Sequence, residues 1–204
     1  MKRGISGIGV LIIFIAMILV AAVAAMVLLQ TVGSLEGQAL QTGKESTAEV
    51  SSKLRIMSIT GETNDASNPS NITYLRITAR LAPGSDSIDL NETLLGFTAK
   101  NTQVSGIYYN MSASNTVTSA KQSTLPGKTY SAVFLGKPSD YSNTNRASVD
   151  ADETIEIWYK LGTANGLPPS TQFTISIVPQ KGIPETIPTS TPSAYTGLYE
   201  TIFP

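Results

Sequence analysis

The most constraining stretch of this chain lies at its start. From Ile8 to Leu29 every residue except Gly9 is apolar, 22 consecutive positions, and no charge occurs between Arg3 and Glu36. About 20 such residues span a bilayer as a helix, so the segment fits a membrane. Lys2 and Arg3 would hold its start on the cytoplasmic side and place the rest of the chain outside. Three readings compete. A secretory signal peptide has a shorter apolar region that ends at a small-residue cleavage site. Ala21, Ala22, Ala24 and Ala25 imitate such a site, but the apolar run continues through Leu29. A permanent single-pass anchor satisfies the length. The third reading is a helix that waits in the membrane and then leaves it for a packed bundle of identical helices. Two features favour it. Gly4, Gly7 and Gly9 supply flexible, side-chain-poor backbone, of use to a peptidase or a close neighbour rather than to an anchor. Small residues at helical spacing, Ala21 and Ala25 among them, let helices approach closely where lipid gives no hydrophobic driving force.

The helical pattern continues in more polar form to about Lys53, with Glu49 and Lys53 spaced for an i,i+4 ion pair. Gly33, Gly37 and Gly43 each weaken an isolated helix by up to about 1 kcal/mol, a cost that packing against neighbours offsets. At 1.5 Å per residue a helix over 5–53 is roughly 70 Å long, more than a bilayer or a small domain needs.

The residues Lys2-Arg3-Gly4 before Ile5-Ser6-Gly7-Ile8-Gly9 lead into Leu11–Met17 and Val20–Ala25, and Thr42-Gly43-Lys44-Glu45-Ser46-Thr47 follows the apolar core. Together these first 50 or so positions closely resemble the N-terminus of archaeal flagellins (archaellins), which are type IV pilin-like filament subunits. The resemblance implies a class III signal peptide, residues 1–4, cut by a prepilin-type peptidase between Gly4 and Ile5. Bacterial type IV pilins usually carry glutamate five residues after the cut, where this chain has Gly9. The resemblance further implies an extracellular filament that drives motility by rotation, an immunoglobulin-like outer domain, N-glycosylation, and self-polymerisation, with paralogous subunits as further partners. The precursor would be inserted transiently in the cell membrane.

After Lys53 the period of the sequence becomes two. Leu75, Ile77, Ala79 and Leu81 alternate with polar residues, as do Ile155, Ile157, Tyr159 and Leu161, and Phe173, Ile175 and Ile177. Shorter strands are expected near Leu54–Ile59, Leu94–Thr98, Ile107–Met111, Tyr130–Leu135 and Tyr195–Ile202, separated by turns at Pro83-Gly84, Pro126-Gly127 and Asn165-Gly166. Pro184, Pro188 and Pro192 consign Ile183–Pro192 to an edge or loop. Seven or eight strands without a helical period read as an antiparallel sandwich or barrel. The expected architecture is therefore α+β: residues 5–53 a long hydrophobic helix, residues 54–204 an antiparallel β-sandwich, immunoglobulin-like on the family resemblance.

Composition narrows the chemistry. The chain has no cysteine and no histidine, which excludes disulfides, the usual zinc and haem ligands and every His- or Cys-based catalytic group. Net charge is −1, so nothing draws the chain to nucleic acid. Charged residues make up 14%, against roughly 25% in ordinary soluble domains, and suit a surface that packs on copies of itself. Asp86, Asp89 and Glu92, and Asp150, Asp152 and Glu153, offer oxygens for calcium but lack the spacing of a calcium loop. Solvated loop acids are the better reading, and no metal or cofactor is expected. Tyr108-Tyr109 and Trp158-Tyr159 are read as core or subunit contacts. Sequons at Asn71, Asn91 and Asn110 are glycosylation candidates, Asn71 favoured because it follows a polar loop.

These observations converge on a structural filament subunit and not an enzyme, and the resemblance implies that the filament is the archaeal motility filament. Its filament core would comprise Ile8, Leu11, Ile12, Phe14, Ile15, Ile18, Leu19, Ala21, Val23, Ala25 and Leu28. An adhesive archaeal pilin and, more distantly, a membrane-anchored surface binding module are the alternatives.

Overall fold

The computed structural model describes residues 2–204 except 66, 68, 101, 111–116, 136–145 and 163–165, and describes the backbone alone at 2–6, 48, 50, 51, 119 and 123. The expected strand end at Met111, the sequon positions Met111 and Ser112, and Asn165 of one expected turn lie outside the described residues.

The chain divides into two compact units, Met1–Thr47 and Ala48–Pro204. Helix α1 spans Lys2–Ser51. It stops two residues short of the expected end because Ser52 is drawn into the β-rich unit. There the Ser52 carbonyl accepts from the Ile183 amide at 2.9 Å, and Ser52 is buried. A Cβ on Gly182, whose φ is +115°, would collide with that carbonyl. The Lys53 amide donates to Ser85 Oγ at 3.1 Å. Lys53 therefore leaves the helix, and its ammonium pairs with Glu185 at 2.5 Å instead of with Glu49 as the spacing suggested.

The β-rich unit contains β1 (Leu54–Thr63), β2 (Ile72–Leu81), β3 (Ile88–Asp89), β4 (Leu94–Ala99), β5 (Thr102–Tyr109), a short helix α2 (Val117–Ser123), β6 (Thr129–Leu135), β7 (Ser148–Val149), β8 (Thr154–Lys160), β9 (Gln172–Val178), β10 (Glu185–Ser190) and β11 (Tyr199–Phe203). Nine strands are hydrogen-bonded in the order β10-β9-β4-β5-β6-β8-β2-β1-β11, and β3 pairs separately with β7. The long sheet curls on itself, so that β10 at one end meets β1 and β11 at the other. Its two halves face each other across one core, in which Phe97 of β4 packs against Tyr159 of β8 with ring centroids 5.8 Å apart. The result is a sandwich whose halves are joined in the manner of a barrel. Pro188 indeed sits on an edge strand, β10.

Two features depart from the expectation. One strand pair, β5 with β6, is parallel: Tyr108 opposes Thr129 and Tyr109 opposes Tyr130. A parallel return requires a long crossover, and the 110–128 connection supplies it. That connection carries α2, a helix in a region expected to have none. Alternation correctly turns Trp158 away from the main core, yet Trp158 is only 1% exposed. Ala120 of α2 and Val133 cover it in a second, smaller cluster on the outer side of the sheet, with Lys121 Nζ 4.8 Å from the ring centroid. Lys121 is in turn held by an ion pair with Glu62.

Buried tyrosines tie the halves together. Tyr130 Oη donates to the carbonyl oxygens of Leu90 and Thr93, each at 3.0 Å, and Tyr109 Oη to that of Arg146 at 2.9 Å. Burial pushes the phenols of Tyr109 and Tyr159 up to about 12, with the Asp89 charge adding to the effect at Tyr109. The sign follows directly. The folded state keeps protons that the unfolded chain releases near pH 10, so this stability is complete below about pH 10 and is lost as pH rises toward 12. Thermal melts followed by circular dichroism should show Tm falling between about pH 10 and pH 12. A flat Tm across that interval would contradict the assignment.

Candidate assembly site

Helix α1 has 50 residues, about 75 Å at 1.5 Å per residue. A helix that is apolar on one stripe covers a core, whereas one apolar on all sides must be surrounded. The segment 8–29 is of the second kind. Its large side chains are 49–75% exposed in the isolated chain, with Ile15 the least and Leu29 the most. All the expected core positions lie here and are exposed: Ile8, Leu11, Ile12, Phe14, Ile15, Ile18, Leu19, Ala21, Val23, Ala25 and Leu28. They cover every side of the helix, so no single seam accounts for them. The backbone at Gly4 and Ile5 is helical, and the Ile5 side chain lies outside the described residues.

Three hydroxyls of α1 are satisfied within the helix. Thr31 Oγ1 donates to the Leu28 carbonyl at 2.9 Å, Ser34 Oγ to Thr31 at 2.9 Å and Thr47 Oγ1 to Gly43 at 2.8 Å. These hydroxyls can enter an apolar bundle without an unpaired donor. A Cβ on Gly7, Gly9, Gly33, Gly37 or Gly43 would touch nothing within 4 Å. No packing within the chain requires glycine at these positions. The spacing of Gly33 and Gly37 is the one by which two helix backbones approach closely.

In the β-rich unit the remaining candidates fall in different surroundings. Asp89 Oδ1 accepts from the Asn91 amide at 2.8 Å as the N-cap of a 3₁₀ turn, Leu90–Glu92. Asp150 and Glu153 are gathered by the Arg146 guanidinium at 2.9 and 2.5 Å, and Asp152 pairs with Arg80 at 3.0 Å. These carboxylates neutralise arginines, and among the described residues no group of three Asp or Glu is arranged to hold a metal ion. Asp86, Asp89 and Glu92 line a cavity of about 250 Å³ with Lys181 and Gln180. Asn91 is exposed, while Asn71 and Asn110 are half-buried. The Asn71 backbone is fastened on both sides, its amide donating to Asn64 Oδ1 at 3.2 Å and its carbonyl accepting from the Asn64 amide at 2.9 Å.

The two outer faces of the sandwich differ in chemistry, which sequence reading missed. The β1-β2-β8 face carries Arg55, Arg76, Arg80, Glu156 and Lys160. The outward positions of β10, β9 and β4 carry no charge. In register, Pro188 lies beside Thr174 and Thr98, Thr186 beside Ser176 and Gly96, and Val178 beside Leu94.

The archaeal-type flagellin family profile matches residues 4–189. Flagellin B2 of Methanocaldococcus jannaschii is 34% identical over 209 residues, 98% of this chain and 94% of that one. Flagellin B1 of Natrialba magadii is 50% identical over 95 residues, a match that spans 47% of each chain. Among solved structures, the crystal structure of archaeal flagellin FlaB1 from Methanocaldococcus jannaschii superposes with a TM-score of 0.64 at 18% identity, covering 74% of this chain and 97% of that one. The archaeal flagellum of Methanospirillum hungatei strain JF1 gives 0.65 at 15% identity, covering 97% and 99%. At these identities the structural likeness is one of fold. The profile match over most of the sequence, and a relative this similar along nearly all of both chains, settle the lineage: this chain belongs to the archaeal-type flagellin family.

Proposed function

We propose that this chain is the structural subunit of the archaeal flagellum filament, polymerising through α1 to serve swimming motility. The observation that carries the reading is the apolar segment 8–29, exposed on every side in a chain of this family. Burying a large aliphatic side chain contributes about 1.5–3 kcal/mol relative to water. Even half-burial of a dozen such residues amounts to roughly 10 kcal/mol or more per subunit. Relative to lipid that term vanishes, and close packing must draw the helix out of the membrane. The same asymmetry makes assembly one-way: a helix in the filament does not return to water. The contact joins different patches of successive copies, since only heterologous, non-closing contacts propagate a helical polymer.

In this reading Lys2 and Arg3 orient the precursor in the membrane, and a prepilin-type peptidase cuts between Gly4 and Ile5. The filament stands outside the cell and accepts paralogous subunits alongside this one. The chain's role is structural, not catalytic. Asn91 is the best-presented sequon because its side chain is exposed on a short turn. Mass spectrometry of sheared surface filaments tests these points together. The expected N-terminal peptide begins at Ile5, with a glycan on Asn91. A peptide beginning at Met1, or a mature start beyond Leu29, contradicts the processing step, and an unmodified Asn91 contradicts the glycan assignment.

A further inference from the structure

The charge-free outer face of the β10-β9-β4 layer is the second half of the subunit contact. The geometry points to its being covered in the filament by the β-rich unit of another copy, an inference that rests on the polymer reading above. Four observations lead there. The first is contrast: charges lie along the outer β1-β2-β8 side, whereas the outward strand positions of this one carry none, Lys100 lying just past the end of β4. Charges are what keep an exposed sheet face soluble and single, and burying them unpaired is costly. A face that omits them is suited to being covered.

The second is flatness. A Cβ on Gly96 would collide with the Ser176 hydroxyl, so glycine there lets the serine lie across the strand. Thr98 and Thr186 flank this point on β4 and β10. The third is the grading of the face along the strands. Val178 and Leu94, each 42% exposed, lie at the end nearest Gln180 and the Ser52–Ile183 hydrogen bond, where the chain enters the unit from α1. Hydroxyl-bearing rows follow, ending in a groove of about 1130 Å³ lined in part by Thr98, Thr174 and Pro188, with Lys100 at its rim. Apolar character is thus greatest near Gln180 and Ile183 and fades along the strands. Finally, Pro188 on the edge strand lacks an amide proton, which discourages strand addition at that edge and leaves the face as the place of contact.

Area identifies the occupant as a copy held by α1 rather than a free-standing partner. Three strands at about 4.8 Å spacing and six residues at about 3.3 Å make a face of roughly 300 Å². Two such patches bury roughly 600 Å², below the roughly 1,200 Å² of a stable independent complex. The contact therefore works only between subunits that α1 already holds together.

The chain has no cysteine, so one introduced thiol reports on one position. Thr98→Cys and Thr186→Cys place it on this face at exposed positions, and Met57→Cys places it at an exposed position on the opposite side. Maleimide labelling is compared between intact filaments and the same subunits dispersed in detergent. Thiols at 98 and 186 are expected to react at least about tenfold more slowly in filaments, as for groups enclosed in a packed interface, and the thiol at 57 by less. If 98 and 186 react in filaments as fast as in dispersed subunits, or are slowed no more than 57, the inference is overturned. That result leaves the polymer reading intact. Surface filaments that lack the chain altogether would instead remove the reading on which the inference rests.

Discussion

Val20→Asp is expected to abolish the filament while leaving the β-rich unit folded. Val20 lies mid-way along the apolar segment and is 70% exposed in the isolated chain, with no neighbour of its own to adapt to a carboxylate. In the bilayer an aspartate at the helix centre costs about 2.5–3.5 kcal/mol. In a bundle of identical helices the same charge recurs in every copy, with no cation between Arg3 and Glu36 to pair it. Each unpaired buried charge then costs several kcal/mol or forces the carboxyl to take up a proton. Ile13→Asp should act the same way. The measurement is electron microscopy of sheared surface material beside circular dichroism of the detergent-extracted subunit. The expected outcome is no filaments and an unchanged β-sheet spectrum. Filaments of normal abundance would show that α1 is not the core.

A second large effect belongs to the β-rich unit alone. Phe97 is 1% exposed, and its ring packs between Tyr159 and Phe173 at 5.8 Å from each. It stands at the centre of the contact between the halves. Phe97→Ala removes that wedge, and about 3–5 kcal/mol is expected from the lost burial and the cavity together. For a unit of this size the loss corresponds to a fall in Tm of roughly 10 °C or more. Phe97→Leu keeps most of the volume and should cost under about 1.5 kcal/mol. Thermal melts of the two variants decide the matter, and equal Tm values would mean the ring is not the wedge described.

Much of this architecture was legible in the residues. The helix announced itself because 22 positions without charge leave few alternatives in water. The strands announced themselves where one face is buried and the other open, as in Leu75–Leu81 and Phe173–Ile177. The edge position of β10 followed from proline's missing amide proton. What escaped reading depends on contacts distant in sequence. Helix α2 is seven residues long with Ala120 as its one described buried position, too short for a period to show. Trp158 could be placed on the outer face but not beneath a helix whose existence was hidden. Lys53 stood at helical spacing from Glu49, and only the fold brings Glu185 closer. The proposed assembly site divides in the same way. Its helical part is contiguous and could be read directly. Its sheet part brings residues 94–98, 172–178 and 186–190 together by register, and no local pattern joins them.

The order of strands also governs when the β-rich unit can be finished. Strand β1 begins one residue after Lys53, yet one of its two pairing edges is completed by β11, with Ile59 opposite Phe203 and Thr60 opposite Thr201. The Lys53–Glu185 ion pair closes a comparable distance in sequence. As the chain emerges from its N-terminus, this first strand must therefore wait for β11, carrying an open edge that follows the apolar helix in sequence. The two most association-prone surfaces of the molecule are adjacent in sequence and appear first. Arrival of the C-terminal strand silences one of them, so that a finished subunit offers α1 to its neighbours without a competing strand edge.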